Sequence, residues 1–332
     1  MSKVRFYIAM AAAKTAHRLL RLCGRAATHT PGAVATKLCP DFLRYLQKPE
    51  TLICVTGTDG KTTVSNLLAT VLQNNGYTVT NNSYGSNICE GVVSALLTDA
   101  TFSGKPKKQV GVLEVDERSS LKVYKYLTPD ILICNNIMRD SLKRNAHTEF
   151  ICYILNKQLP SSTKVVLNAD DLICSGLFPN NKDRTYFGVS ADRPENGAAT
   201  DEALRDIVYC PKCGAKLETE YVRYNHIGRH HCSSCGFASP KPDYDVTAIN
   251  REKGTFTVTH NGVDEEYKIV NDNIINIYNS CAVISVLHTF GLDYEKIHNA
   301  FETVKIVSSR FDIKKVGDYT IIGQLAKGQN PV

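Results

Sequence analysis

The sequence lacks several features that would place it in a special class of proteins. No apolar run approaches the ~18–20 residues that span a membrane as a helix. There is no internal repeat and no low-complexity segment, which excludes repeat arrays and largely disordered chains. The formal net charge is only +6, a mild excess that permits an anionic substrate without requiring nucleic acid.

The composition is typical of an ordinary globular protein. Hydrophobic residues make up 43% and charged residues 22% of the 332 positions, a length that predicts two or three domains. The twelve cysteines do not indicate a disulfide scaffold, because the chain is far longer than the small secreted domains that need one. Cys54, Cys134 and Cys281 lie within apolar runs, where a thiol behaves as a small hydrophobe. With the nucleotide motif below, these features predict a cytoplasmic protein.

The strongest local motif is a phosphate-binding loop. The β-branched run 51–56 predicts a strand, and GTDGKTT at 57–63 follows it and opens an amphipathic helix. Glycines let backbone N–H groups close around phosphate oxygens, and the helix N-terminus adds a positive dipole end. Lys61 would reach the β- and γ-phosphates of ATP, and Thr62 would hold Mg²⁺. Val55 stands where the common motif has its first glycine, so a glycine-rich turn with an exposed lysine is the alternative. The predicted ATP-binding residues of the loop are Gly57, Thr58, Asp59, Gly60, Lys61, Thr62 and Thr63.

A second motif pairs four cysteines. Cys210-Pro-Lys-Cys213 and Cys232-Ser-Ser-Cys235 are two Cys-x₂-Cys knuckles with 18 residues between them. This spacing predicts a Zn²⁺ site that is structural, since four thiolates leave no open coordination position. Two disulfides are the alternative. The histidines between the knuckles are expected to be solvated; they are His226, His230 and His231.

The rest of the pattern alternates short strands with helices. Polar residues follow the strand ends, as Glu114 does, which predicts a doubly wound, mostly parallel α/β sheet with its ligand at the carboxyl edge. Periodicity is lost from about 180 to 206, and residues 246–269 predict a meander with one hairpin. Further strands are expected at 77–80, 110–115, 130–135 and 164–168, and helices at 91–97, 276–287 and 294–304.

The first 48 residues predict a basic amphipathic helix and a connector. Ile8, Leu19 and Leu22 alternate with bases such as Arg18 and Arg21. The apolar run is short and bases follow it at once, so a secretion signal is not favoured. Two interpretations stay open, packing on the body of the protein and contact with the anionic inner face of a membrane.

Several marks together resemble the Mur ligase superfamily. They run from 51 to 312 and are specific as a set: GTDGKTT, Glu114, Asn136 with Asp140, Asn168 with Asp171, Asn276 with Asn279, and Arg310. One branch of that superfamily carries a zinc ribbon in its central domain, and the stretches RFYIAMAAAK, LEVDE and NNIMRDSLKR are similar to it. The resemblance implies a central ATP-binding domain at 49–312, a zinc ribbon inserted at about 206–240, and the start of a C-terminal Rossmann-like domain at 313–332.

The resemblance also implies an ATP-dependent carbon–nitrogen ligase of peptidoglycan synthesis. Its members phosphorylate the α-carboxylate of D-glutamate in the lipid II stem peptide. Ammonia from a GatD-like glutamine amidotransferase then gives D-isoglutamine. By this resemblance Lys61 and Glu114 are catalytic, and Thr62 and Glu114 hold Mg²⁺. The resemblance also implies that Asn276 and Arg310 contact ATP. Further candidate site residues by the same resemblance are Asp140, Asn168, Asp171 and Asn279.

The sequence departs from the family pattern in several places, among them Ser309 before Arg310 and Gly328-Gln329 near the end. Ser141 follows Asp140 where ligases that add amino acids have His, and no Lys stands out for carbamylation and a second Mg²⁺. Both fit an enzyme that uses ammonia. The family places a catalytic Asp and the glutaminase contact in a C-terminal domain that the 332 residues do not include. The chain is therefore expected to bind ATP without completing amidation or holding the glutaminase firmly.

Two other functions remain as alternatives. An amino-acid-adding Mur ligase or a folylpolyglutamate synthase is disfavoured by the zinc knuckles and Ser141. A zinc-ribbon P-loop ATPase that binds nucleic acid finds support in aromatics among bases between the knuckles, but no nucleic-acid partner is expected. These aromatic and basic residues are Tyr221, Arg223, Tyr224, His226 and Arg229.

No cysteine lies in a convincing glutaminase nucleophile motif.

Overall fold

The computed structural model describes residues 3–82, 86–139, 147–194, 207–304, 311–316 and 319–324. Helices and strands alternate through the first two thirds of this part of the chain. In chain order they are α1 (Lys3–Leu22), α2 (Thr30–Leu38), a 3-10 helix (Phe42–Tyr45), β1 (Thr51–Thr56), α3 (Lys61–Asn74), β2 (Val79–Asn81), α4 (Cys89–Thr98), β3 (Val110–Glu114), α5 (Ser120–Val123), β4 (Ile131–Cys134), α6 (Thr148–Gln158), β5 (Lys164–Asn168), α7 (Leu172–Ser175), β6 (Arg184–Val189), β7 (Glu218–Tyr224), β8 (Ile227–His231), β9 (Tyr244–Asn250), β10 (Thr255–His260), β11 (Val263–Lys268), α8 (Ile274–Phe290), α9 (Tyr294–Thr303), β12 (Phe311–Val316) and β13 (Tyr319–Gln324).

A nine-stranded sheet in the order β11-β10-β9-β6-β5-β4-β1-β3-β2 forms the centre of the fold. From β2 to β9 every neighbouring pair is parallel, and β10 and β11 continue the sheet antiparallel. The prediction of a doubly wound, mostly parallel sheet is confirmed. The strand order reverses direction at β1, since β3 lies on one side of it and β4 on the other. Such a switch point opens a crevice at the carboxyl edge.

Each face of the sheet is covered by helices. Strand β1 shows how the sequence achieves this, because Ile53 and Val55 enter one core while Leu52 and Cys54 enter the other. Buried on both faces, the strand reads as a continuous apolar run. Helices α3, α8 and α9 cover the first face, and α1, α2 and α4 to α7 cover the second.

The structure corrects two expectations about the second half of the chain. The stretch at 180–206, where no periodicity was visible, contains β6, which pairs with both β5 and β9. The expected meander is formed by β9, β10 and β11, and β9 joins it to the central sheet through β6. Helix α8 begins at Ile274, before Asn276, and the Asn273 side chain caps it by accepting the Ile275 N–H at 2.9 Å.

The segment between the cysteine knuckles forms the antiparallel hairpin β7–β8. It packs on the carboxyl side of β5, where the Gly228 N–H donates to the Asp170 carbonyl at 2.7 Å. Strands β12 and β13 form a second hairpin. No helix in the described part of the chain is long and apolar enough to cross a membrane.

Candidate nucleotide and metal sites

The loop after β1 is held against the loop after β4, at the switch point of the sheet. The Thr58 N–H donates to the Asn136 carbonyl at 2.9 Å, and the Asp59 N–H donates to Asn136 Oδ1 at 2.8 Å. The Thr58 hydroxyl donates to the Met138 carbonyl at 3.1 Å. Asn136 therefore fixes the loop from outside, at the crevice where open α/β sheets bind ligands.

The glycines of the loop are required by backbone conformation and by space. Gly57 has φ 121° and Gly60 has φ 83°, values that disfavour a side chain. A Cβ on Gly60 would lie 2.4 Å from Asn279 Oδ1 and 2.5 Å from Asn135 Nδ2. Lys61 then begins α3, so the loop delivers the chain directly into a helix N-terminus.

Lys61 places a positive charge in the site, and its side chain is mostly buried. Its Nζ lies 3.0 Å from Glu117 Oε1, with the two side chains 11% and 4% exposed, and it also donates to the Gly57 and Thr58 carbonyls. Burial acts to lower the pKa of Lys61, but Glu117 and the nearby Glu114 and Asp116 carboxylates outweigh it and raise the pKa. Burial raises the pKa of Glu117. The alternative of a turn with an exposed lysine does not hold.

A hydroxyl and a carboxylate meet beside this pair. Thr62 Oγ1 donates to Glu114 Oε2 at 2.9 Å, and Asn87 Nδ2 donates to Glu114 Oε1 at 2.9 Å. Asn82 fixes the same residue through its backbone, accepting from its N–H at 2.8 Å and donating to its carbonyl at 2.9 Å. Oxygen donors of this kind, a hydroxyl and an oriented carboxylate, suit Mg²⁺.

A chain of amides connects helix α8 to the loop. Asn135 Nδ2 donates to Asn279 Oδ1 at 2.9 Å, and Asn279 Nδ2 donates to Asn276 Oδ1 at 3.3 Å. Asn168 Nδ2 donates to the Asn135 carbonyl at 3.0 Å. Two of the predicted asparagines, Asn168 and Asn279, thus contact Asn135, and Asn276 reaches it through Asn279; Asn135 itself was not among the predicted residues. Its only sequence signal was its place at the end of an apolar strand.

Asp171 follows β5 and is fully buried. Its Oδ2 accepts the Ile137 N–H at 2.7 Å, and its Oδ1 accepts the N–H groups of the first turn of α7. His226 Nε2 lies 3.1 Å from the same Oδ1 and is also fully buried. The prediction that His226 and His230 are solvated is wrong, because the hairpin packs on Asp171 and encloses both rings.

The neighbouring Asp170 anchors the hairpin a second time. Arg229 Nη1 lies 3.0 Å from Asp170 Oδ1, and Tyr278 Oη donates to Asp170 Oδ2 at 2.7 Å. Burial raises the pKa of Asp170, although these donors act in the opposite direction. Arg223 donates to the Asp192 carbonyl at 2.8 Å, and Tyr221 is buried. The aromatic and basic residues of the hairpin therefore make contacts within the protein.

The four cysteines of the knuckles lie together. Their Sγ atoms are all within 4.8 Å of one another, and Cys210–Cys235 and Cys213–Cys232 are each 3.6 Å apart. A disulfide needs ~2.05 Å, so the disulfide alternative does not describe this arrangement. Tetrahedral thiolates at ~2.3 Å from Zn²⁺ are ~3.8 Å from each other. The donor set and its spacing fit a structural zinc ion.

A cavity of about 920 Å³ lies between α2, the start of α4 and the segment around α5. Its wall at Ile88–Glu90 continues directly from Asn87, which holds Glu114. Three lysines line it, from α2 and from the segment around α5; they are Lys37, Lys122 and Lys125. This cavity could not be predicted from the sequence, because α2 and α5 are far apart in the chain.

The remaining predicted residues are placed as follows. Thr63 lies in the first turn of α3 and is half-buried. Asp140 and Arg310 lie outside the described residues. The residues that sequence reasoning missed are Asn82, Asn87, Glu117, Asn135, Asp170 and His226, of which Glu117 carried a signal, as one of the acids at the end of β3.

Comparison with known proteins gives a consistent result. The Mur ligase middle domain matches residues 55–233. The chain is 32% identical over 302 residues to the MurT subunit of a glutamine-hydrolyzing lipid II isoglutaminyl synthase from Staphylococcus aureus (strain COL), covering 90% of this chain and 67% of the relative. It is 29% identical over 332 residues to the corresponding MurT subunit from Streptococcus pneumoniae (strain R6), covering 98% and 71%.

A solved structure shows the same fold. The pseudomurein peptide ligase type C from Methanothermus fervidus superposes with a TM-score of 0.64 at 25% identity. The match covers 86% of this chain and 56% of the ligase, so the chain spans little more than half of that protein. The family match extends over more than half of the chain, and the similarity to the first MurT subunit extends over two thirds of that relative. The chain belongs to the Mur ligase family, in the group of MurT subunits.

Proposed function

We propose that this protein is the ATP-dependent synthetase subunit that amidates the D-glutamate α-carboxylate of the lipid II stem peptide. Ammonia would come from a GatD-like glutamine amidotransferase. The observation that carries the proposal is the convergence of Lys61, Thr62 and Glu114 on one loop at the switch point of the sheet. The names of the MurT relatives supply the reaction class and the substrate.

Residues 57–63 would hold the phosphates of ATP. The Gly-rich turn leads into α3, so its backbone N–H groups and the helix dipole favour an anion. Thr62 and Glu114 would coordinate Mg²⁺, with Asn87 orienting the carboxylate. Asn279 and Asn276 reach the same loop through Asn135 and would border the nucleotide. Asn168 and Asp171 are buried and would support these residues indirectly, through the Asn135 carbonyl and the Ile137 N–H.

The chemistry requires activation of a carboxylate, because a carboxylate does not react with ammonia unaided. A carboxylate oxygen would attack the γ-phosphorus, and ADP would leave with the electrons of the bond that breaks. Ammonia would then attack the acyl carbon, and inorganic phosphate would leave while the surplus proton passes to water. Preorganised cations stabilise the charge on the transferring phosphoryl group, which is the role proposed for Lys61 and Mg²⁺.

In this proposal, the ion pair of Lys61 with Glu117 keeps the lysine amine charged before ATP binds. Without nucleotide, Glu117 neutralises a buried amine that would otherwise be costly. Phosphate oxygens would replace this carboxylate as the partner of Lys61. Glu117 therefore acts as a positioning residue that keeps the amine charged at the loop.

The cavity beside Asn87 offers a place for the acceptor substrate. Its three lysines would offset the negative charge of an acidic stem peptide, and its wall at Ile88–Glu90 follows in the chain directly after Asn87, which donates to Glu114. The zinc ribbon has a structural role in this proposal, since its four thiolates leave no coordination position open. The nucleic-acid alternative loses its main support, because Arg223, Arg229 and Tyr221 face the protein.

Amidation of lipid II tests the proposal. The complete protein, purified with its co-expressed glutaminase, is given lipid II, Mg²⁺, glutamine and ATP, and the stem peptide is analysed by mass spectrometry. We expect the mass shift of a carboxylate converted to an amide, dependent on both ATP and glutamine. Incorporation of an amino acid instead of ammonia would favour the amino-acid-adding alternative.

A further inference from the structure

Helix α1 carries apolar side chains on two opposite sides. One side packs on the protein, where Phe6 meets Phe42 with ring centroids 4.8 Å apart. The buried residues of this side are Phe6, Ala9, Met10 and Ala13. The opposite side faces solvent, and its apolar residues are 65%, 59%, 57% and 84% exposed at Val4, Ile8, Leu19 and Leu22.

The spacing places the exposed residues in one stripe. At ~100° per residue in a helix, positions 4, 8, 19 and 22 fall within a narrow sector. Ala11 and Thr15 lie in the same sector and fill the stripe between its ends. The outer stripe is therefore a continuous face of the helix, directly opposite the buried one.

An aromatic pair widens this face. Tyr7 stacks on Phe102 with ring centroids 6.2 Å apart and planes at 8°. The two rings stack on each other at the surface, and the two residues remain 42% and 51% exposed. Amphipathic aromatic rings such as Tyr are enriched at membrane–water interfaces.

Positive charge is concentrated around the same helix. Residues 1–40 contain seven Lys or Arg and no Asp or Glu, and the rest of the chain contains 32 Lys or Arg and 33 Asp or Glu. The whole net charge of the protein thus resides in this segment. Lys14 serves the fold, donating to the Leu97 and Ala100 carbonyls at the end of α4, at 2.7 and 2.8 Å. The exposed bases that border the stripe or follow it are Lys3, Arg18, Arg21 and Arg25.

We propose that the outer stripe of α1 docks the protein on an anionic lipid bilayer, with the helix lying in the plane of the interface. An exposed apolar stripe bordered by bases and free of acids is the combination that inserts among acyl chains while attracting anionic head groups. A folded protein partner or a second copy would also cover apolar residues, but neither explains the segregation of the entire net charge to this segment. The inference deepens the proposed function, because a lipid-linked substrate places the reaction at a membrane surface.

Vesicle co-sedimentation of the complete protein tests the docking surface. Vesicles of phosphatidylcholine with phosphatidylglycerol are compared with vesicles of phosphatidylcholine alone. We expect binding to the anionic vesicles that weakens as salt is raised. The double variant Leu19→Ser/Leu22→Ser should bind roughly tenfold less tightly or weaker, since each leucine loses its apolar burial. Arg18→Ala/Arg21→Ala should bind about thirtyfold less tightly, from ~1 kcal/mol for each base near the surface.

Matched controls separate docking from folding and from catalysis. Val263→Ser removes a residue that is 59% exposed on β11, and Lys253→Ala removes an exposed base far from α1; both should bind as the wild type does. The α1 variants should keep the wild-type Tm, because the altered side chains contact solvent.

Absence of binding to anionic vesicles, or binding that both double variants retain, would overturn the proposal. A dimer in solution that Leu19→Ser/Leu22→Ser dissociates, without vesicle binding, would show a second copy as the occupant and would also overturn it. The assay contains no ATP or glutamine, so its result is separate from that of the amidation assay.

Discussion

His226 Nε2 lies 3.1 Å from Asp171 Oδ1, and neither side chain is exposed to solvent. His226 stands at the turn of the β7–β8 hairpin, and Asp171 stands at the end of β5, 55 residues earlier. The other carboxylate oxygen of Asp171 accepts the N–H of Ile137, next to the Asn136 that holds the phosphate loop. The zinc-ribbon hairpin is therefore tied to the nucleotide crevice through one buried carboxylate.

This contact predicts that the hairpin supports nucleotide binding. His226→Ala should lower the free energy of unfolding by about 1–3 kcal/mol, the cost of a buried polar group that loses its partner. It should also raise the Kd for ATP, measured by calorimetry. His231→Ala is the matched control on the same hairpin, because its ring is 41% exposed and pairs with exposed Glu218. Equal effects of the two substitutions would show that the buried contact has no special role.

The cysteine knuckles should contain one zinc ion per chain. Metal analysis of protein purified without chelator should find it. Cys213→Ser should release it and lower the Tm, because binding energy at such a site is folding energy. Cys23→Ser, which changes an exposed thiol at the end of α1, should retain both zinc and Tm. Zinc-free wild-type protein with an unchanged hairpin would contradict the assignment.

Lys61 has two separable roles. Lys61→Met should weaken ATP binding about ten- to a hundredfold, since a charge-assisted contact contributes about 1.5–3 kcal/mol. It should also destabilise the fold by leaving Glu117 buried without its cation. The double variant Lys61→Met/Glu117→Gln should recover stability but not affinity. Recovery of affinity in the double variant would argue against a direct contact of Lys61 with phosphate.

The same pair predicts a dependence on pH. Burial already raises the pKa of Glu117, and loss of Lys61 removes the charge that opposes this shift. When the pKa of a carboxyl group is raised in the folded state, the folded protein loses stability as pH rises above the unfolded pKa of ~4.3. Urea unfolding of Lys61→Met should therefore show stability that falls as pH rises through and above that value, relative to Lys61→Met/Glu117→Gln. Parallel pH profiles for the two variants would contradict it.

Glu114 should set the Mg²⁺ dependence. Glu114→Gln should raise the Mg²⁺ concentration needed for half-maximal nucleotide binding. Asn87→Ala should do so about 10–100-fold, as expected for a residue that orients a metal ligand. Glu252→Gln, in the exposed β9–β10 turn, is the control and should leave the titration unchanged. Unaltered Mg²⁺ dependence in Glu114→Gln would exclude this carboxylate as a ligand.

The parts of the fold that depend on local sequence were predictable. The strand 51–56, the loop 57–60 and the helix that Lys61 begins follow each other without a gap, so turn chemistry and apolar period identify them. The four cysteines were predictable for the same reason, since ligand spacing is a local property. In both cases the residues that carry the signal are neighbours in the chain.

The parts that depend on distant contacts were not predictable. Strand β6 has no clear alternation because only its last three residues are buried, and its partners β5 and β9 lie on either side of the ribbon segment. His226 appeared to be a solvated loop residue because its burial comes from docking on Asp171. Glu117 was visible as one of three acids, but only the folded chain shows that it pairs with Lys61.

The central claim is that this site activates a carboxylate by phosphorylation with ATP bound at the loop 57–63. Its most direct test follows the oxygen atoms. Lipid II labelled with heavy oxygen in the D-glutamate α-carboxylate is incubated with the complete synthetase, its glutaminase, glutamine, Mg²⁺ and ATP. The account predicts that one labelled oxygen per amidation appears in inorganic phosphate, and that Lys61→Met abolishes this transfer. Label found in AMP, or phosphate free of label while the amide forms, would contradict it.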